Sequence, residues 1–332
     1  MDSGNSQEKY VSPAPRKRIR RALRTGAVYL AWVAVSLGVI EAALRFGLGL
    51  GNPVLIAPDA ACMYTLKPDQ DVFRFFARTH INHYGMRSDE IPPYRDPHTL
   101  RVLFVGDSIA YGTSRVDQRE IFTEILRRDL PSIVHSPVEV LNASASGWAI
   151  DNELAYVRTR GTFQSNLVLL VLNSGDLSQR RSTIADVENL LLQVRPSTAI
   201  GELYMRVVKP YLSRAGAKTD PGDRADQNAD DVVRGNLSKL DDFQAFASGQ
   251  GTRLVIVYVP FRGDIPNGSD HWLSLLSSWS LSRHVTLLDL TPVEAHYSVE
   301  EITLDHGVHL NAKGNLAVAK GIERLWPKLP GW

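Results

Sequence analysis

The sequence predicts an α/β protein, a three-layer α/β/α sandwich around a five-stranded parallel sheet, preceded by one N-terminal transmembrane helix. Three observations carry this expectation. Short runs rich in Val, Leu and Ile, within RVLFVGDS, VEVLNAS, LVLLVLNS, LVIVYVPF and VTLLDLTP, are apolar on both faces, as strands buried on two sides are. Segments of helical period alternate with them: EIFTEILRRDL, AIDNELAYVRTR, IADVENLLLQV, VRGNLSKLDDFQAFA, HWLSLLSSWSLS and a closing AKGNLAVAKGIERLW. Such alternation indicates a parallel sheet covered by helices on both faces. The third observation is a long apolar run near the N-terminus.

That run, Thr25 to Ile40, carries no charge. It reaches the roughly 20 residues a spanning helix needs only by continuing through EAALRFGLGL, where Glu41 and Arg45 fall one helical turn apart and can pair. Directly before it stand Arg16, Lys17, Arg18, Arg20, Arg21 and Arg24, which set it apart from a buried core helix. A cleaved signal peptide would end in a small-residue site, which EAALRF lacks. The segment is therefore read as an uncleaved signal anchor over 25–50, with 1–24 a basic cytoplasmic tail. By the positive-inside rule everything after Leu50 is exported, to the periplasmic or cell-surface side of a bacterial inner membrane.

At 332 residues the chain suits one large domain plus this appendage. Its 44% hydrophobic and 22% charged residues are ordinary for a protein with a buried core. The net charge of +1 conceals only the N-terminal basic cluster. That cluster adjoins an apolar span rather than interleaved aromatics, which argues against a nucleic-acid partner. Cys62 is the single cysteine, so no intrachain disulfide forms. This fits a reducing compartment and equally an exported enzyme large enough to need no staple. With no partner residues and no lipidation motif, Cys62 is read as structural. Residues 51–99 show no clean period and are read as an irregular lead-in. Residues 100–332 form the main domain, with an insertion around 195–230 rich in Gly, Pro, Asp and Arg.

Ligands of an open parallel sheet bind beyond the carboxyl ends of its strands. Those ends carry an unusual set of groups. The first strand runs into Gly106-Asp107-Ser108, the second reaches Asn142 and then Gly147, and the third ends in Asn173-Ser174-Gly175-Asp176. A loop after the fifth holds Asp305, His306 and His309. A serine hydroxyl needs an adjacent base, and the base works best when a carboxylate orients it. Ser108, His309 and Asp305 fill those roles. The backbone amides of Ser108 and Gly147, with Asn173 as a displaced third donor, are the expected oxyanion hole. This chemistry needs no cofactor and no metal.

These residues resemble the SGNH (GDSL-type) hydrolase family over roughly Val102 to Trp326. FVGDSIAYG looks like the family's first block with Ser108 as nucleophile, VLNASASGW like the second with Gly147 as the oxyanion glycine, and DHGVHLNAKGN like the last with His309 as base. INHYGMRSDE and the anchor ending in EAALR are similar to a membrane-anchored bacterial subgroup. Two departures stand out. The family's third block reads Gly-x-Asn-Asp, so its oxyanion asparagine aligns with Gly175. Its acid lies three residues before the histidine, where this chain has His306; Asp305 lies four before. The absence of G-x-S-x-G separates the chain from α/β-hydrolases. The resemblance implies a flavodoxin-like sandwich and an extracytoplasmic, membrane-tethered serine esterase. It would cleave or transfer O-acyl groups, O-acetyl above all, on envelope or secreted glycans. A lipid or thioester acylhydrolase, and a weakened domain that binds glycan, are the alternatives.

Plainer readings stand beside these. Ser108 can cap a helix, and Asp107 reads as a turn or cap residue. His309 can be a loop histidine, and His306 with His309 and Asp305 can ligate a metal. Asn142 and Asn311 read as turn residues, Trp148 as core or a sugar subsite, and His80 and His83 as solvated loop residues.

Overall fold

The structure is a computed structural model and describes residues 14–209, 211, 229–261, 271–305 and 307–329. Helix α1 (Ala14–Ala42) continues as a π-helical turn over Ala43–Gly47. It starts earlier than the apolar run because Arg, Lys and Ala are themselves good helix formers. Within it the stretch Ile19–Gly47 is long and apolar enough to cross a membrane, and none of its most apolar part is buried against the protein. The expected pair forms, with Arg45 Nη2 2.8 Å from Glu41 Oε1.

The expected sheet is present. Strands β5 (Leu100–Gly106), β6 (Val138–Ser144), β7 (Leu167–Leu172), β8 (Arg253–Tyr258) and β9 (Thr286–Asp289) pair in parallel in the order β6-β5-β7-β8-β9. Alternate residues feed two apolar layers, the reason each strand reads as a continuous apolar run. Val102 and Phe104 face the layer built with α3 (Phe122–Val134) and the C-terminal helix. Leu103 and Val105 face the other, which includes α4 (Ile150–Arg160). Numbering α2 (Ser108–Tyr111), α5 (Ile184–Val187) and α6 (Ala199–Leu203) in chain order, the long helix Ala229–Gly249 is α7 and His271–Arg283 is α8. Both pack on the α4 side. Short turns α9 (Thr291–Glu294) and α10 (Val299–Ile302) precede α11 (Ala312–Leu325), which joins α3.

Two expectations need correction. The lead-in is not irregular: it folds into two antiparallel hairpins, β1 (Ile56–Asp59) with β2 (Met63–Leu66), and β3 (Gln70–Arg74) with β4 (Ala77–Ile81). Their strands span four or five residues each, too short for a visible alternation, and their buried side chains Ile56, Tyr64, Leu66, Val72 and Ile81 join the α4-side core. The helix expected from IADVENLLLQV stops after α5. Leu192 is drawn instead into a bridge with Leu55, while Leu190 and Val194 stay exposed. Of the insertion expected at 195–230, residues 210 and 212–228 lie outside the described residues, as does His306.

Candidate active site

Strand β5 sits between β6 and β7, so successive connections leave it toward opposite sides. The crevice at such a reversal is where an open α/β sheet accepts a ligand. Gly106 ends the strand, Asp107 caps the next turn by accepting from Ile109 N at 2.8 Å, and Ser108 opens the one-turn helix α2. The capping function thus belongs to Asp107, and the Ser108 hydroxyl is left for other work. Ser108 Oγ lies 3.1 Å from His309 Nε2. His309 Nδ1 lies 2.7 Å from Asp305 Oδ2, and Asp305 Oδ1 accepts from the His309 backbone N–H at 2.8 Å. One carboxylate therefore fixes both the ring and the backbone of the histidine.

The four-residue spacing between Asp305 and His309 has a structural explanation. The loop is closed by a bridge between Thr303 and Leu310, by Leu304 N to His309 O at 2.7 Å, and by Val308 N to Asp305 O at 3.0 Å. Gly307 takes up the additional residue at φ 101°, a conformation that glycine adopts without strain. Asn311 caps the following helix by accepting from Gly314 N, a structural role as expected.

The opposite side of the site is built from β6 and β7. Gly147 has φ 82°, and a Cβ there would lie 2.9 Å from Val187 Cγ1 and 3.2 Å from Tyr64 Oη. Asn173 is brought beside the nucleophile turn, where its Nδ2 donates to Asp107 Oδ2 at 3.1 Å and its Oδ1 accepts from Gly175 N at 2.7 Å. A side chain at Gly175 would begin 3.3 Å from Asn173 Oδ1 and 3.5 Å from Phe261 Cε2. The space next to Gly175 is thus already held by the displaced asparagine.

Asp107, Asp176 and Glu153 form a buried acidic group behind Ser108. Burial pushes all three carboxyls up from their ordinary values, and mutual repulsion raises Glu153 and Asp176 further. The Ile109 amide and His309 pull Asp107 back toward ionisation. Asp176 Oδ2 accepts from Asn173 N at 2.7 Å, whereas both carboxyl oxygens of Glu153 have no hydrogen-bond partner among the described residues.

Several structural participants were not singled out in the sequence. Tyr64 on β2 donates from its hydroxyl to Ser146 O at 3.0 Å, next to Gly147, and its own carbonyl accepts from Trp148 Nε1 at 3.0 Å. Asn152 ties Cys62 O to Ser182 O, and Gln179 Nε2 holds Gly147 O at 3.1 Å. Arg87, fully buried, donates to the carbonyls of Tyr111, Thr113 and Val116 and so clamps the chain leaving α2. Only INHYGMRSDE, which contains Arg87, gave a signal. Asn142 is more than a turn residue, since its Nδ2 anchors Ala110 O at 2.7 Å. Trp148 is core, 1% exposed. Cys62 is buried, which pushes its thiol up to about 12, an inert value. His80 and His83 pair with Asp71 and Asp69 at the surface.

No family model and no curated protein matches the chain. Among solved structures it is similar to TesA (14% identity, 69% of this chain and 98% of that one, TM-score 0.44). It is also similar to a lipolytic protein of the G-D-S-L family from Veillonella parvula DSM 2008 (14%, 69% and 100%, 0.44). A third likeness is to a mutant of Axe2, an acetyl-xylooligosaccharide esterase from Geobacillus Stearmophilus (11%, 68% and 93%, 0.44).

Proposed function

We propose that this chain is a serine ester hydrolase of the SGNH type, with Ser108 as nucleophile, His309 as base and Asp305 as the acid that orients it. The observation that carries this reading is the unbroken line of hydrogen bonds from Ser108 Oγ through both ring nitrogens of His309 to Asp305, at 3.1 and 2.7 Å. His309 Nε2 takes the hydroxyl proton as Ser108 Oγ attacks the ester carbonyl carbon. The resulting oxyanion is met by the Ser108 and Gly147 amides, and by the Nδ2 hydrogen of Asn173 that its bond to Asp107 does not use. Collapse expels the alcohol, which receives the proton from His309. Water then attacks the acyl-serine with the same histidine as base.

Asp305 and His309 keep 35% and 28% side-chain exposure, so the reacting centre lies at the surface. A small acyl group on a large acceptor reaches such a site more readily than a long chain needing a deep tunnel. This supports an O-acyl, above all O-acetyl, ester on an envelope or secreted glycan as substrate, and the intact triad geometry favours an enzyme over a weakened binding domain. The basic residues ahead of α1 support export of everything after Leu50. A fluorophosphonate should label the detergent-solubilised full chain and not its Ser108→Ala variant; equal labelling of both would remove Ser108 from the reading. Short acetyl esters should be turned over faster than long-chain esters, and the reverse order would replace glycan ester with lipid. Reporter fusions after Leu50 should be active only in exported form.

A further inference from the structure

We propose that the end of the catalytic domain next to α1 is itself a membrane-docking surface, seated in the headgroup layer of the bilayer; this rests on reading α1 as a spanning helix. Three chain segments converge there. Glu41 accepts from Ala199 N at 2.8 Å and Ile200 N at 3.0 Å, and Arg45 donates to Ser197 O at 3.1 Å. The turn between β3 and β4 is joined to the same place, because Phe75 N donates to Leu48 O at 2.9 Å. A buried ion pair between Arg74 and Glu202, with Gly51 N also donating to Glu202, locks the second and third segments together. The domain is thus fastened to the end of the helix rather than hung from a linker.

Chain length makes the consequence unavoidable. The described helix runs to Gly47, and Leu48 is already bonded to the domain. One or two residues span at most about 7 Å, so the domain sits against the end of α1 and, with the span read as 25–50, against the surface from which it emerges. The face it turns to that surface is apolar. Phe46, Phe76, Tyr204, Met205 and Val207 are between 52% and 79% exposed. Among the described residues, every exposed large apolar side chain beyond α1 lies on residues 46–76 or 190–211, other than Tyr94, Leu281, Val308 and Leu316. A soluble surface scatters such residues singly, whereas their concentration in the two segments bonded to the end of a spanning helix matches the aromatic and aliphatic belt of a membrane interface. Arg195, exposed in the second of these segments, is placed for an anionic headgroup. A cavity of about 500 Å³ opens beside these residues, walled by Leu192, Val194 and Met205 together with the charged Glu188, Arg195, Glu202 and Arg206.

The test uses nitroxide labels on the full chain, in vesicles containing phosphatidylglycerol, on a Cys62→Ala background. Single cysteines replace Val33 within α1, Phe76 and Val207 on the proposed surface, and Leu281 on α8. Collision with oxygen against a water-soluble nickel complex reports depth. Val33 should read as acyl-chain and Leu281 as aqueous, with Phe76 and Val207 at about 5–10 Å into the headgroup and acyl boundary. Phe76 and Val207 labels as aqueous as Leu281, with Val33 still in the acyl region, would overturn the docking surface and leave the anchor standing. An aqueous Val33 would overturn the anchor and this surface with it.

Discussion

The two sides of the candidate site are held by different means. Around Ser108, His309 and Asp305 the side chains themselves are set by local devices, a cap from Asp107, a bridge-closed loop and a left-handed glycine, while Arg87 and Asn142 anchor the backbone of the Ser108 turn from farther along the chain. On the oxyanion side, the loop carrying Gly147 is braced from far away, by Tyr64 and by Gln179. On the proposed function, the contrast separates the groups that do chemistry from the groups that keep a peptide amide aimed. Changes on the first side should abolish turnover, and changes among the braces should degrade it by degrees.

The largest effect is expected at Ser108. Ser108→Ala should lower ester turnover by about 10⁶, the scale seen when a triad loses its nucleophile, with the thermal midpoint nearly unchanged. Next comes Asp305→Asn, which keeps the shape of the loop but leaves the imidazole in the wrong tautomer. A loss of about 10⁴ in kcat is expected, measured across pH on a small acetyl ester. A nearly silent Asp305→Asn would make the nucleophile side a Ser–His dyad and remove the contrast drawn above.

Tyr64→Phe probes the distant brace. It removes one hydroxyl from Ser146 O and leaves the buried ring in place, so the fold should persist. Small misplacement of a catalytic group costs up to about 10²-fold; a loss of about tenfold in kcat with little change in KM is expected here. The kcat-against-KM split is what distinguishes a positioning role from a substrate contact. An unchanged kcat would show that Gln179 suffices to hold the loop.

The same division explains what was legible in the sequence. Ser108, Gly147 and His309 announce themselves because each is locally encoded, by a strand ending in Gly-Asp-Ser or by a short polar run before a helix. The parallel strands were legible because burial on both faces leaves no polar residue to interrupt them. Tyr64 was not, since the bond from its hydroxyl to Ser146 joins residues 82 apart and nothing local marks β2 as a strand. Asn173 was visible only as a departure from pattern. What it does there depends on Asp107 and Gly175, which come together only in the folded site.

The smallest effect expected concerns the acidic group beneath this site and appears as a stability change with pH. Glu153 is fully buried, and neither carboxyl oxygen has a hydrogen-bond partner among the described residues. Its carboxyl is held well above the ordinary value, first by burial and then by Asp176 and Asp107. In the folded chain it therefore stays protonated at pH values where the unfolded chain has released the proton. The folded state then binds more protons than the unfolded one, so this group's contribution to stability falls as pH rises from the unfolded value near 4.3 toward the folded one. Glu153→Gln keeps the size and a neutral charge state but cannot ionise. Its thermal midpoint, measured by calorimetry, should exceed that of the parent by a few degrees at pH 8. The advantage should shrink on going down to pH 4. Esterase activity should survive, because Glu153 touches neither Ser108 nor His309. A difference in midpoint that stays constant from pH 4 to pH 8 would mean that Glu153 is ionised in the fold after all. The Asp107 cap would then sit beside a charge rather than beside a neutral carboxyl.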